Sequence, residues 1–381
     1  MIYLDNSATT KPYPQVADVL QRVLTEDFGN PSTLYRLGLN AEKILKSARK
    51  SVAKSIGASE SEVYFTSGGT ESDNAAIFGA WESRKKQGKR VITTAVEHPA
   101  VLRCFEALKA KGADVVILPV GRDGSFDMDA FKDALTADTI LVSVMHVNNE
   151  TGAIFPIEKI AAELAAYAKK SGIAKPLFHS DCVQSYGKLP LDVSMLGPDM
   201  ISVSAHKVHG PKGIGALYIK KGVHIPSLIY GGGQENGFRS GTENMPGIAG
   251  FGTAAELIRP HEFEVRNYLT KLILESIPDV RVNSPEDGCS SVLNASFIGC
   301  RAEVLLHQLE QDGIYVSTGS ACSSHKTGDS HVLSAMSMTH KEIEGAIRFS
   351  FSEFNTVEEM DEVIARTKTA VERFRRLGSF R

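Results

Sequence analysis

From about residue 40 to residue 255 the chain alternates between short apolar runs and helical stretches, and this alternation limits the fold more than any other feature. The runs are VYFTS at 63, VITTA at 91, DVVIL at 114, TILVSVM at 139, LFHSD at 177, DMISVS at 199 and IGALYI at 214. Helical stretches are expected at 41–56, 71–85, 99–111 and 157–172, with a long run from 245 onward. Strands separated by helices pair in parallel and are covered on both faces. The last two runs follow each other without a long helix, so one antiparallel strand is expected. The reading is an α/β protein built on a mainly parallel seven-stranded sheet.

After residue 257 the pattern changes. A helix over 258–276 leads into VRVNSP, then SVLNASFIG, then a helix near 301–313. The glycine- and serine-rich stretch STGSACSSHKTGDS follows, then the strand IRFSFS and a final amphipathic helix over 357–376. This is a smaller α+β domain. The expected division is a large domain, 15–256, and a small one made of 1–14 and 257–381.

Composition excludes several classes. Lys plus Arg number 42 against 45 Asp plus Glu, which gives no basic field for coating nucleic acid. Five Cys, an odd number with no CxxC, make no disulfide framework and point to a reducing compartment. No run of about 18 apolar residues suggests a membrane span. The opening MIYLDNSATTKPYP has no basic start and no apolar core, unlike a secretory signal. A cytoplasmic protein with neither a nucleic-acid nor a membrane partner is expected.

In open α/β sheets, ligands collect at the carboxyl ends of the strands. The run at 63 ends in Gly68-Gly69-Thr70-Glu71 and then a helix. Glycines let backbone approach a ligand, and a helix N-terminus attracts phosphate. A plain strand-to-helix turn fits that pattern equally well. The run at 91 ends at Glu97-His98-Pro99, where a lone histidine is commonly just a satisfied polar residue. The run at 139 leads to Asn148-Asn149-Glu150, which could orient a ligand or cap the next helix. The run at 177 ends at Asp181, and a buried carboxylate requires a cationic partner. The run at 199 ends at Ser204-Ala205-His206-Lys207, followed by a GPKG turn. A lysine and an aspartate at neighbouring strand ends, beside a phosphate seat, are the parts of a pyridoxal-phosphate site.

SAHKVHGPKGIG, HSDCVQ, HVNNETG, GGTESDN and RSGTEN resemble the motifs of the class V aminotransferase superfamily. More narrowly, with YLDNSATT, FGNPSTLY and TGSACSSHKTGDS, they resemble cysteine desulfurases of the NifS/IscS type, in order along essentially the whole chain. The resemblance implies the fold of pyridoxal-phosphate transferases of fold type I. It implies that Lys207 carries the cofactor as a Schiff base, that Asp181 pairs with the ring nitrogen and that Gln184 contacts the ring hydroxyl. His98 would stack on the ring and shuttle protons. Gly69, Thr70, Ser204 and His206 would hold the phosphate. Thr242 would reach the phosphate held by the partner subunit, so a homodimer is implied. Asn149 and Arg348 would hold the substrate carboxylate, and a guanidinium suits that task because it grips a carboxylate bidentately. No metal is expected.

Cys322 narrows the reaction. It lies in a small, polar stretch without apolar period, the composition of a loop. His325 and Lys326 favour its thiolate. With the resemblance, Cys322 is the nucleophile that takes sulfur from L-cysteine, leaving L-alanine and a persulfide for an acceptor protein of iron–sulfur assembly or tRNA thiolation. The other four cysteines are expected to be structural, and Cys182 stands where the family has a small residue such as Ala. Rival readings are an aminotransferase or selenocysteine lyase of the same superfamily, which need no loop thiol, and a persulfide relay platform whose output depends on a partner.

Overall fold

A computed structural model describes residues 1–259, 264–318 and 329–378 of the chain. In chain order its strands are β1 (Ile2–Tyr3), β2 (Val63–Thr66), β3 (Arg90–Thr94), β4 (Asp114–Leu118), β5 (Thr139–Ser143), β6 (Leu177–Asp181), β7 (Met200–Ser204), β8 (Gly215–Ile219), β9 (Val280–Val282), β10 (Val292–Phe297), β11 (Ile314–Tyr315) and β12 (Ala346–Ser350). The seven expected runs form one seven-stranded sheet in the order β2-β8-β7-β6-β5-β3-β4. β8 is antiparallel to both β7 and β2, and the other pairs are parallel. Every residue of β5, β6, β7 and β8 is buried, as expected of central strands with helices on both faces.

Local chemistry sets the helices between these strands. Gly68 precedes the helix Gly69–Arg84 with φ 152° and has no side chain to cap it. His98 caps the helix Pro99–Ala110, whose first residue is a proline with no N–H to leave unsatisfied. The helix Ile157–Ser171 stops at Gly172, which adopts the left-handed conformation at φ 67°.

Several boundaries depart from the sequence reading. The helix expected at 41–56 is Arg36–Ser55, because its opening turn, with the exposed Leu37 and Leu39, shows little of the buried-face pattern. The run from 245 onward is two helices, Met245–Leu257 and Glu264–Ser276. Ile258 leaves the helix with ψ 129°, and Pro260, two residues on, has no N–H to continue it. The helix near 301–313 is Ala302–Gln311, and the last is Val357–Gly378. The helices Pro14–Thr25 and Met128–Ala134 and the two-residue strands β1 and β11 were not anticipated.

A second core lies around the antiparallel sheet β12-β10-β9. Leu293, Phe297, Leu305, Ile347, Phe349 and Val363 are fully buried there. The N-terminal segment belongs to this core, with Ile2 paired to Ile314 and Leu4 among its buried residues. It runs on past the end of β12, where the Ser7 N–H donates to Ser350 Oγ at 2.8 Å, toward the loop after β7, where the Thr10 N–H donates to His206 O at 2.9 Å.

The registers Ser204↔Gly215 and Thr66↔Gly215 place the carboxyl ends of β2 and β7 on either side of Gly215. A Cβ on Gly215 would meet Val203 O at 2.6 Å and Gly68 Cα at 2.7 Å, both backbone atoms that cannot swing away. Gly215→Ala is therefore expected to cost about 1–3 kcal/mol by overpacking. A urea unfolding curve with an unchanged midpoint would contradict this.

Candidate active site

The parallel strands deliver their carboxyl ends to one edge of the sheet, and the sequence-derived residues gather there. Asp181 ends β6, and its Oδ1 accepts the Val183 N–H at 2.9 Å. Burial raises its carboxyl to about 6, opposed by that N–H and by the charge of Lys207. Lys207 follows β7, and its Nζ donates to the backbone carbonyls of Ser7 (2.5 Å) and Ala8 (2.9 Å). The N-terminal segment thus crosses directly over the candidate cofactor lysine.

The glycine turn abuts the same place. A Cβ on Gly69 would lie 2.7 Å from Val183 Cγ2 and 4.0 Å from Ser204 Cβ. With no side-chain cap on this 16-residue helix, its first-turn N–H groups, exposed Thr70 among them, are open to a ligand. His206 Nδ1 lies 3.2 Å from Thr9 Oγ1. Burial and the charges of Lys207, Lys212 and Lys188 lower the His206 ring to about 4.

His98 accepts the Ala100 N–H on Nδ1 at 3.2 Å. Burial, Lys207 and His331 lower it to about 4, so the ring is neutral at physiological pH. Gln184 donates from Nε2 to Ser7 O at 3.0 Å. Arg348 is buried in β12, donates to Asn149 O at 3.0 Å and pairs with Asp5 at 2.8 Å. Only the backbone of Asn149 makes that contact.

Thr242 stands apart. Its exposed residue lies in a loop that Arg239 ties to Glu71 at 2.9 Å, and among the described residues no hydrogen bond joins it to the Lys207 group. Cys322, with His325 and Lys326, lies outside the described residues. The segment resumes at a well-tied point, where Ser330 Oγ donates to Glu150 at 2.5 Å and His331 Nε2 to Glu97 O at 2.9 Å. Cys104, Cys182, Cys289 and Cys300 are buried, each with a reduced thiol.

A polar row beneath the site escaped the sequence reading. Ser143, His179 and Ser202 sit side by side on β5, β6 and β7, with His179 bonded to both hydroxyls at 2.9 Å. Asp73 lies 3.6 Å from His179 Nε2. Burial holds His179 down at about 3 and pushes Asp73 well up, so their contact is not an ion pair. Glu97 is completely buried, and its Oε1 accepts from Thr94 and from the Met145 N–H. The available signal was the period of two, since His179 and Asp181 share one face of β6.

Burial raises Glu97 to about 8, while its Oε2 has no hydrogen-bond partner among the described residues. The folded state then holds a proton that the unfolded chain releases, so Glu97 lowers stability as pH rises from about 4.5 to about 8. Glu97→Gln keeps the Oε1 acceptor and removes the titration. In the ligand-free protein it should melt like wild type near pH 5 and several degrees higher near pH 8.5. Parallel melting curves for the two proteins across that range would refute the assignment.

Among the described residues no helix is long and apolar enough to cross a membrane. The aminotransferase class-V family profile matches residues 2–363. A cysteine desulfurase of Trichormus azollae is 43% identical over 391 aligned positions, spanning 100% of this chain and 95% of that protein. A solved NifS-like protein superimposes with a TM-score of 0.90 at 36% identity, covering 97% of this chain and 99% of that one. A structure of SspA in complex with cysteine superimposes with a TM-score of 0.82 at 33% identity, covering 93% of this chain and 100% of that one. Enzymes of this family generally use pyridoxal phosphate. The chain belongs to the class-V aminotransferase family and is, within it, a cysteine desulfurase that serves sulfur delivery.

Proposed function

We propose that this site binds pyridoxal phosphate on Lys207, takes L-cysteine as substrate and releases L-alanine, with the sulfur carried as a persulfide on Cys322 to an acceptor protein. The observation that carries this reading is the buried Asp181 carboxylate and the Lys207 ammonium at neighbouring strand ends, each within the other's field. The cysteine held by the structurally similar SspA supports the substrate. The residues fit the cofactor. The uncapped helix start at Gly69 and Thr70, with Ser204 and His206, suits the phosphate. Asp181 suits a ring nitrogen that carries a proton, and Gln184 suits the ring hydroxyl.

Pyridoxal phosphate, when bound, supplies a ring that draws electrons from the substrate's α-carbon. The chain's own residues do the rest. Arg348 grips the substrate carboxylate with Asn149 beside it. Lys207 Nζ takes the α-proton, and His98, which would lie against the ring, passes a proton to the substrate's Cβ when that carbon takes the electron pair of the broken Cβ–S bond. Cys322, as thiolate, attacks the substrate sulfur. An S–S bond forms, the substrate's Cβ–S bond breaks, and proton return to carbon completes alanine. Thr242 serves the partner's phosphate in a homodimer, and the domain division at 15–256 belongs to this reading, as does a cytoplasmic setting.

Three measurements test it. Lys207→Ala should abolish borohydride trapping of pyridoxal phosphate, and trapping at another lysine would refute the site. Cys322→Ser should keep the visible cofactor spectrum while alanine formation from L-cysteine falls by orders of magnitude. Wild-type turnover in that variant, or activity on selenocysteine alone, would remove the persulfide step. In sedimentation, a stable monomer with full activity would exclude the shared site.

A further inference from the structure

Near the partly buried Lys207 stands a buried lysine, Lys188, only 8% exposed. Buried lysines are rare unless a carboxylate pairs with them. Among the described residues no carboxylate lies within ion-pair distance of Lys188. Its Nζ instead donates to Gln184 Oε1 at 2.9 Å. The other end of that amide, Nε2, donates to Ser7 O at 3.0 Å. The same carbonyl accepts Lys207 Nζ at 2.5 Å.

These contacts define the amide without ambiguity. An ammonium has only donors and a carbonyl only accepts. Rotating the Gln184 amide by half a turn would set its NH2 against Lys188 and its oxygen against Ser7 O. Both contacts would then be repulsive in a dry site, where unmet polar groups cost most. Without Lys188 only the Ser7 contact selects the orientation, and Oε1 is left buried with no donor. Burial also lowers the Lys188 amine to about 8, a strain that a neutral side chain would not carry.

We propose that Lys188 is a positioning residue that locks Gln184 with its N–H side toward Ser7 and the cofactor's ring oxygen, and so tunes the cofactor on Lys207. This rests on the site reading above. A donor at the ring oxygen withdraws electrons from the nitrogen that joins Lys207 to the cofactor, which then holds its proton less tightly. Loss of that donor raises the pH midpoint of the visible band. The charged and titratable groups that sense Lys188 are Arg348, Cys289, His206 and His209.

The test is a double-mutant cycle on purified protein loaded with pyridoxal phosphate, read by absorbance against pH. Lys188→Met should raise the midpoint by about one pH unit, as should Gln184→Ala. The double variant should match Gln184→Ala alone, because Lys188 then has no amide to hold. Cofactor release, followed by dialysis, should speed up about tenfold in Lys188→Met and not further in the double variant. Lys188→Arg restores a donor and should return the midpoint toward wild type. It is also the informative variant if Lys188→Met does not fold. A Lys188→Met shift of equal size with and without Gln184 means that charge alone acts, and overturns the inference. So does a Lys188→Arg protein displaced as far as Lys188→Met, or a Lys188→Met protein identical to wild type. A wild-type protein with no visible band after loading overturns the site reading and this inference with it.

Discussion

A carboxylate sealed at the end of a central strand must be met by a cation, a proton or several donors, and the active edge of this protein is arranged around that demand. Asp181 is 6% exposed and has one backbone N–H on its Oδ1. Its strand lies between β5 and β7, far from either edge of the sheet. Parallel pairing brings the end of β7, and with it Lys207, alongside. The antiparallel insertion of β8 lets β2 approach the same point through Gly215, which has no side chain to hold the glycine turn away. A carboxylate, an amine and an uncapped helix start therefore converge as a consequence of strand order, although the helix start lies more than a hundred residues before the other two in sequence.

The N-terminal segment closes this arrangement. It is anchored in the second core by Ile2 and Leu4, then hydrogen-bonds along β12 and reaches Lys207 with two carbonyls. Its Asp5 also pairs with Arg348, which donates to Asn149 O from the small sheet. A few residues thus set the spacing between the amine that would take the cofactor and the guanidinium that would take a carboxylate. Two carbonyls facing Lys207 Nζ stabilise the ammonium in the free protein, and bond formation at that nitrogen must give up at least part of this.

What was legible in the chain follows from the same physics. The large sheet, its antiparallel strand and the positions of Lys207 and Asp181 could be read because strand ends are marked by abrupt changes of residue type, whereas Arg348, in the middle of β12, came from motif resemblance. The Ser143–His179–Ser202 row could not, because its three residues are each isolated in sequence and become neighbours only once strand order is known. Lys188 gave no signal in the sequence for a similar reason: its acceptor, Gln184, is local, but the carbonyl that gives that contact meaning belongs to Ser7. The start of the helix at Arg36 escaped because its first turn is exposed, and periodicity reports only buried faces. The expectation for Thr242 rests on motif resemblance alone, since nothing among the described residues gives it a partner at the site.

The hydrogen bond that caps one helix also bears on the role proposed for His98. A neutral imidazole carries one proton, and its Nδ1 already accepts the Ala100 N–H, so that proton is on Nε2. Burial and the nearby cationic charge of Lys207 keep the ring neutral down to about pH 4. In this state Nε2 donates, and the ring accepts a proton only if Nδ1 gives up its bond to the helix. The proton role proposed for His98 is therefore that of a donor toward the substrate's Cβ, which takes the electron pair of the broken Cβ–S bond. Basicity is left to Lys207, whose amine would be free to take a proton once the substrate's amine had replaced it on the cofactor. The proposed division of labour between acid and base thus follows from a helix cap and the backbone strap of Ser7 and Ala8.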